Sequence, residues 1–285
     1  MSIPAAYIGV VFIWSTTPLA TQWSTTSLSP MEACALRLCL AALLMMAVTP
    51  VLRIPALDLR RNWRLYAAAS IGLFPNLPLL NAAAQHISSG LISVLFGLAP
   101  FVVSLLAAWL LGERLCARHY AALALALSGL LCIFADQLSL GREALLGVGL
   151  MLLSVLAFSV SSVLVKYYGS STEPICQLSG SLLFSLPGTL LCWWLLDGEF
   201  PHAVSVKSGS AVLYLALVGS LAGVGAYFYL LRHMSVSSVA LIPLITPGFA
   251  LLLGSRLNGE PVSSSLMLGA ALILTGLALF NRVPA

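Results

Sequence analysis

Charge is what this sequence has least of. Its 285 residues hold 13 Lys and Arg and 9 Asp and Glu, 8% in all, where a soluble domain carries about 25%. So few charges cannot cover a globular surface of this size, and lipid must be the solvent for most of the chain. The nine acids (Glu32, Asp58, Glu113, Asp136, Glu143, Glu173, Asp197, Glu199 and Glu260) all sit at the ends of apolar runs or between them. None stands at the centre of a run, where it would relay protons or balance a buried cation. Carboxylate-based proton antiport and cationic substrates are therefore disfavoured. The six cysteines form no CxxC and no Cys/His ligand spacing, so they read as small packing residues, and no metal and no cofactor is expected. GxSxG, HExxH and Walker-type phosphate loops are missing too. A membrane enzyme would need an acid, a base or a metal cluster, so the chain is not expected to be an enzyme. The net charge of +4 lies in loops and is no sign of nucleic-acid binding.

What the sequence does have is length of apolar run. It is 60% hydrophobic, with mean hydropathy +1.03. A helix across the hydrocarbon needs about 20 apolar residues. Charges and turn residues cut the chain into ten such runs, roughly 3–22, 31–51, 64–84, 88–111, 118–136, 145–167, 174–195, 209–231, 235–257 and 264–282. Without water, backbone groups must pair within the segment, so these runs imply helices. The expected fold is an all-α polytopic membrane protein. No basic stretch precedes the first run, which reads as a retained span. With the N-terminus inside, nine Lys and Arg fall in inner loops and three (Arg142, Lys207, Arg256) in outer ones, with Arg37 within a span. The positive-inside rule then places both termini in the cytoplasm.

The chain also contains one stretch twice. Residues 86–113 and 233–260 align without a gap at an offset of 147, with eight identities in 28 positions, among them His86/His233, Pro100/Pro247 and Glu113/Glu260. The same offset sets Ser128-Gly129 on Thr275-Gly276 and Gly72 on Gly219. The halves are 1–137 and 138–285. Five spans per half is an odd number, so the second half must cross the membrane in the opposite sense. Inverted repeats of this kind let two halves exchange roles between outward-open and inward-open shapes, as in many transporters.

These residues resemble the drug/metabolite transporter superfamily and its ten-span EamA-type branch. The resemblance is carried by the two ends Pro100–Glu113 and Pro247–Glu260, the small-Gly pairs after them, Trp14-Ser15 and Arg37. It implies ten helices around a central cavity and export of small metabolites or drugs. In length and overall pattern the chain looks like the YddG-type exporters of aromatic and neutral amino acids. The expected partners are therefore a small-molecule substrate and the lipid of a bacterial inner membrane, with the protein acting as a monomer.

Candidate site residues follow from polar groups and helix breakers inside spans. Proline removes a helix donor and strains the preceding turn, so Pro75, Pro78, Pro100 and Pro247 are expected as breaks or hinges, with Pro243 doubling the last. Buried polar groups are costly and therefore informative. Trp14, Ser15, Asn76, Asn81, Ser161 and Thr246 are candidates for a neutral cavity, with Phe96 and Tyr227 as aromatic walls. The Tyr227-Phe228-Tyr229 run also fits an interfacial belt. Arg37 reads as a structural pair or a snorkelling side chain. The glutamates at 113 and 260 read as helix-end hydrogen-bonding groups. The expected mechanism is alternating access, with a zwitterionic substrate held by helix ends and aromatic rings.

Overall fold

A computed structural model describes residues 2–51, 57–111, 117–139, 141–168, 172–198, 203–234, 239 and 242–281. All regular structure among them is helical. Helices α1 (Ile3–Ser24) and α2 (Pro30–Val51) are unbroken. Helix α3 comes in two pieces, α3a (Leu59–Ile71) and α3b (Asn76–Ala83). Helix α4 does too, as α4a (Ser89–Phe96) and α4b (Ala99–Leu111). Then follow α5 (Ala117–Ser139), α6 (Arg142–Tyr167) and α7 (Pro174–Leu196). Helix α8 runs over Val206–His233, with a π-helical stretch at Leu215–Val224 between two α-helical ends. Helices α9 (Ile242–Asn258) and α10 (Ser264–Asn281) close the chain. Six of these units among the described residues are long and apolar enough to cross a membrane, and α5 and α10 contain shorter apolar stretches. Gly112, Glu113, Ser235 and three inner-loop arginines (Arg53, Arg114, Arg282) lie outside the described residues.

Local chemistry sets where helices start. Ser29 and Glu32 form a reciprocal capping box before α2: the Ser29 N–H donates to Glu32 Oε2 at 2.6 Å and the Glu32 N–H to Ser29 Oγ at 3.0 Å. Asp58, Ser88, Ser205 and Ser263 each accept from a backbone N–H three residues on, at the starts of α3a, α4a, α8 and α10.

The bundle is inside-out by soluble standards. Phe12, Met46, Trp109 and Trp194 are 65%, 70%, 81% and 65% exposed, while Ser154, Ser159, Ser181 and Ser220 are fully buried. Lipid solvates such an apolar exterior, and the interior serines satisfy one another and the backbone. Two apolar cores form inside. One joins α1, α2, α3a, α7 and α8; the other joins α3b, α4, α5, α6 and α10.

Helix packing follows the internal repeat. Helix α1 lies against α8 and α9, and its counterpart α6 lies against α3 and α4. Counterparts also meet directly, as α2 with α7, α4a with α9 and α5 with α10. The α5–α10 crossing shows the symmetry at atomic level. A Cβ on Gly129 would stand 2.6 Å from the Gly269 carbonyl oxygen, and one on Gly276 would stand 2.8 Å from the Ala122 carbonyl oxygen. Residues 129 and 276 are 147 apart, and so are 122 and 269. The two contacts are thus images of each other, and they run antiparallel. A two-fold axis that reverses helix direction produces this arrangement: ten helices in two inverted five-helix repeats.

Three expectations about breaks are sharpened. Helix α3 is interrupted at 72–75, with Pro75 capping α3b and Pro78 in its first turn, where no N–H is needed. Helix α4 is interrupted at Gly97–Leu98, just before Pro100, the second residue of α4b. Pro247 is a correction: α9 runs through it without a break. It is the sixth residue of the helix as described, and its missing N–H costs one hydrogen bond, to the Pro243 carbonyl, while the helix continues on either side.

Candidate functional site

The two cores meet at four aromatic rings. Trp14 lies about half-way along α1. Its indole is 6.1 Å from the Phe96 ring at the end of α4a, 5.8 Å from Phe158 on α6 and 5.1 Å from Tyr227 on α8. Phe158 in turn is 4.9 Å from Phe96 and 5.6 Å from Tyr227. Most of these contacts are edge-to-face or tilted, the arrangements that aromatic quadrupoles favour. Phe158 packs against both apolar cores. Tyr227 is 8% exposed, and its hydroxyl pairs with Ser162 Oγ at 3.1 Å. The cluster thus carries two polar groups, the Tyr227 hydroxyl and the Trp14 indole N–H, in a mainly apolar wall, a composition suited to an apolar or aromatic ligand.

Trp14, Phe96 and Tyr227 are brought together here. Phe158 is the member that sequence reasoning missed. A phenylalanine beside a mid-span run of serines (Ser159, Ser161, Ser162) was the available signal. Phe12, its counterpart once the repeat offset shifts by one residue to 146 in the first spans, is 65% exposed, so the duplication gives no guide to its direction. Tyr229, next along, stacks on His233 at 4.3 Å at the end of α8, away from the cluster.

The polar candidates are placed differently. Ser15 Oγ donates to the Val11 carbonyl at 2.7 Å, one turn back. Asn81 Nδ2 donates to the Leu77 carbonyl at 2.8 Å. Ser161 Oγ donates across to the Ala68 carbonyl on α3a at 2.8 Å. Asn76 closes the α3 break: its Nδ2 donates to the Gly72 carbonyl at 2.8 Å and its Oδ1 accepts from Ser154 Oγ on α6 at 2.5 Å. Ser15 and Asn81 thus bond within their own helices, and Asn76 and Ser161 tie α3 to α6. Thr246 (5% exposed), Pro247 and Pro100 are buried, in an α9 that packs on α1 and α4a and in the start of α4b. For Pro243 only the backbone is described, as helix.

Helix α8 approaches this site through glycines. A Cβ on Gly223 would come within 2.9 Å of Ile13 Cγ2 and 3.8 Å of Trp14 Nε1. A Cβ on Gly219, one turn earlier, would stand 3.3 Å from Arg37 Nη2. Both lie in the π-helical stretch, a form that recurs at functional sites. Arg37 is 3% exposed, which corrects the snorkelling reading. Its Nε donates to Ser220 Oγ at 2.9 Å. Among the described residues Nη1 has no hydrogen-bond partner and no carboxylate pairs with the guanidinium.

One end of the bundle is laced shut. Glu260 accepts from Ser89 Oγ at 2.7 and 2.9 Å and from the Gly90 N–H at 3.3 Å, at the positive start of α4a. Asn258 Nδ2 donates to Glu260 Oε1 at 2.9 Å and to Gln22 Oε1 at 3.0 Å, and its Oδ1 accepts from Trp23 Nε1 at 3.1 Å. Gln22 Nε2 donates to the Ile87 carbonyl at 2.7 Å. The C-terminal ends of α1 and α9 are thereby joined to the start of α4a.

Ten helices in inverted repeats around an aromatic centre define a multi-pass membrane transporter. The chain belongs to the EamA-like transporter family, which matches residues 2–135 and again 145–282. It is 28% identical to the inner membrane transporter YedA of Escherichia coli (strain K12), over 96% of this chain and 89% of that protein. It is 29% identical over 197 residues to a probable amino-acid metabolite efflux pump of the same organism, 66% of each chain. An uncharacterized transporter of Archaeoglobus fulgidus is 26% identical over 95% of this chain and 96% of its own length. A solved crystal structure superposes with TM-score 0.71 at 21% identity, covering 98% of this chain and 97% of that one; it supports the fold. The relatives' names are those of transporters, not enzymes.

Proposed function

We propose that the protein exports small amino acids, aromatic and other neutral ones, across the bacterial inner membrane by alternating access. The observation that carries this reading is the Trp14–Phe96–Phe158–Tyr227 cluster at the seam of the two cores. Such a wall accepts an apolar or aromatic side chain, and its ring faces attract an ammonium group. The efflux pump among the relatives agrees with the substrate class and direction, and the inverted repeats with the mechanism. We place both termini in the cytoplasm, from the loop charges, and take the units as 1–137 and 138–285. Lipophilic cations are the rival substrates. The absence of a buried carboxylate among the described residues of the spans, and the buried positive charge of Arg37, disfavour them.

Purified protein in liposomes decides between the two. Labelled phenylalanine, leucine and a cationic dye would be tested for saturable counterflow, with and without a proton gradient. We expect amino-acid counterflow that unlabelled aromatic amino acids compete away. Movement of the dye with no movement of any amino acid would overturn the proposal.

A further inference from the structure

We propose that Arg37 is the anion-binding element of the transport site, and that the substrate carries one carboxylate whose charge this guanidinium balances. The inference deepens the reading of the ring cluster as the substrate site and rests on it.

Arg37 stands eight residues into α2, within the span, and is 3% exposed. A guanidinium presents five N–H donors and stays protonated. Burying it is costly unless an anion and hydrogen bonds offset the loss of water. An arginine kept for structure alone ends with its donors on carboxylates or backbone carbonyls. This one has Nε on Ser220 Oγ and an Nη1 with no partner among the described residues. On the same helix the guanidinium lies against Gly219, where an added Cβ would stand 3.3 Å from Nη2. The fork is therefore held at one end and unfilled at the other.

The position of the guanidinium as a whole bears on what could use its free donors. Gly219 and Gly223 are successive turns of α8, roughly 5 Å apart along the axis. Arg37 overlies the first and Trp14 the second. A small zwitterion spans such a distance, with its carboxylate on the planar fork in two-point fashion and its ammonium and side chain against the rings. The other Lys and Arg of the described residues lie at helix ends or in loops. One buried positive charge suits a monoanionic carboxylate better than a doubly charged phosphate. The same charge repels a cation that lacks a carboxylate.

The test compares three ligands that share a benzyl group: phenylalanine, its amide, and 3-phenylpropionate, which keeps the carboxylate and lacks the amine. Binding to the purified full chain in detergent is read by calorimetry. The unmodified protein should bind phenylalanine at least about tenfold more tightly than the amide. Arg37→Gln should erase that ratio, and Arg37→Lys should restore part of it, with the charge present and the fork absent. Equal binding of acid and amide by the unmodified protein overturns the proposal, as does a ratio unchanged in Arg37→Gln. Should Arg37→Gln not fold, Gly219→Ala tests the same point by pressing a Cβ toward Nη2, and the ratio should fall. An Arg37-dependent binding of 3-phenylpropionate with none of any amino acid would sustain Arg37 as the anion site while removing the amino-acid function. Failure of every carboxylate to bind, with a neutral aromatic such as indole still bound, would overturn Arg37 and leave the ring site standing.

Discussion

Individual side chains sort here by whether they spend their bonding capacity on the protein. Ser15, Asn76, Asn81 and Ser161 do: the first three reach the carbonyl four residues back, which a short polar group in a dry helix finds within range, and Ser161 reaches across to Ala68 on α3a. Sequence reveals that these residues are polar and buried, and it does not reveal which way the hydroxyl turns. That is why the aromatic half of the site was legible, through Trp14, Phe96 and Tyr227, and the polar half was not. Two substitutions separate ring from hydroxyl. Trp14→Ala removes the indole that touches all three other rings and should lower counterflow by up to about tenfold, since the substrate loses a ring contact worth about 0.5–1.5 kcal/mol. Tyr227→Phe keeps the ring and loses only the bond to Ser162, worth about 1 kcal/mol, so transport should fall no more than about fivefold. A Tyr227→Phe protein as inactive as Trp14→Ala would mean that the hydroxyl, not the ring wall, contacts the substrate.

At the scale of elements, the runs between charges located all ten helices because nothing else in lipid can satisfy a backbone of that length. Their irregularities were less legible. Proline marked the α3 and α4 interruptions to within a few residues, since both fall at a helix start. It misled at Pro247, where a single lost bond leaves α9 continuous. The π-helical Leu215–Val224 stretch of α8 left only its glycines as a trace. The lacing at Glu260 depends on residues from α1, α4a and α9 that only the fold brings together. Glu260→Ala removes the acceptor for Ser89 and Gly90 and frees Asn258. Hydrogen exchange of the backbone at 87–91 should then quicken by about tenfold, the equivalent of roughly 1.4 kcal/mol of lost closure. Exchange as slow as in the unmodified protein would show that packing alone holds this end.

For the molecule as a whole, the offset of 147 was the most informative feature of the sequence, because it predicts geometry as well as ancestry. An odd number of spans per half forces the inversion, and the paired contacts at Gly129–Gly269 and Gly276–Ala122 realise it. Which faces of each helix turn inward was not legible, since in lipid both faces are apolar and the contrast that marks a soluble amphipathic helix is lost. The small residues at the α5–α10 crossing let one helix backbone pack directly against the other. Gly129→Leu would force a side chain into the Gly269 backbone and should lower the unfolding temperature of the detergent-solubilised protein, with overpacking costs of about 1–3 kcal/mol or more. Gly149, which meets nothing within 4 Å, is the control: Gly149→Leu should leave that temperature unchanged. Equal melting of the two variants would deny the crossing its role.

The four rings have one more consequence, which is thermodynamic. The rings occupy one another's contact surfaces, so on the reading proposed above the site would be its own inhibitor. A substrate binds only by exchanging ring–ring contacts for ring–substrate contacts. Flat or apolar side chains make that exchange nearly even, whereas small polar molecules do not compensate for what they separate. Selectivity thus arises from what the empty protein already holds. On that reading the same self-occupancy would hold affinity down, as a carrier that must release its cargo on every cycle requires.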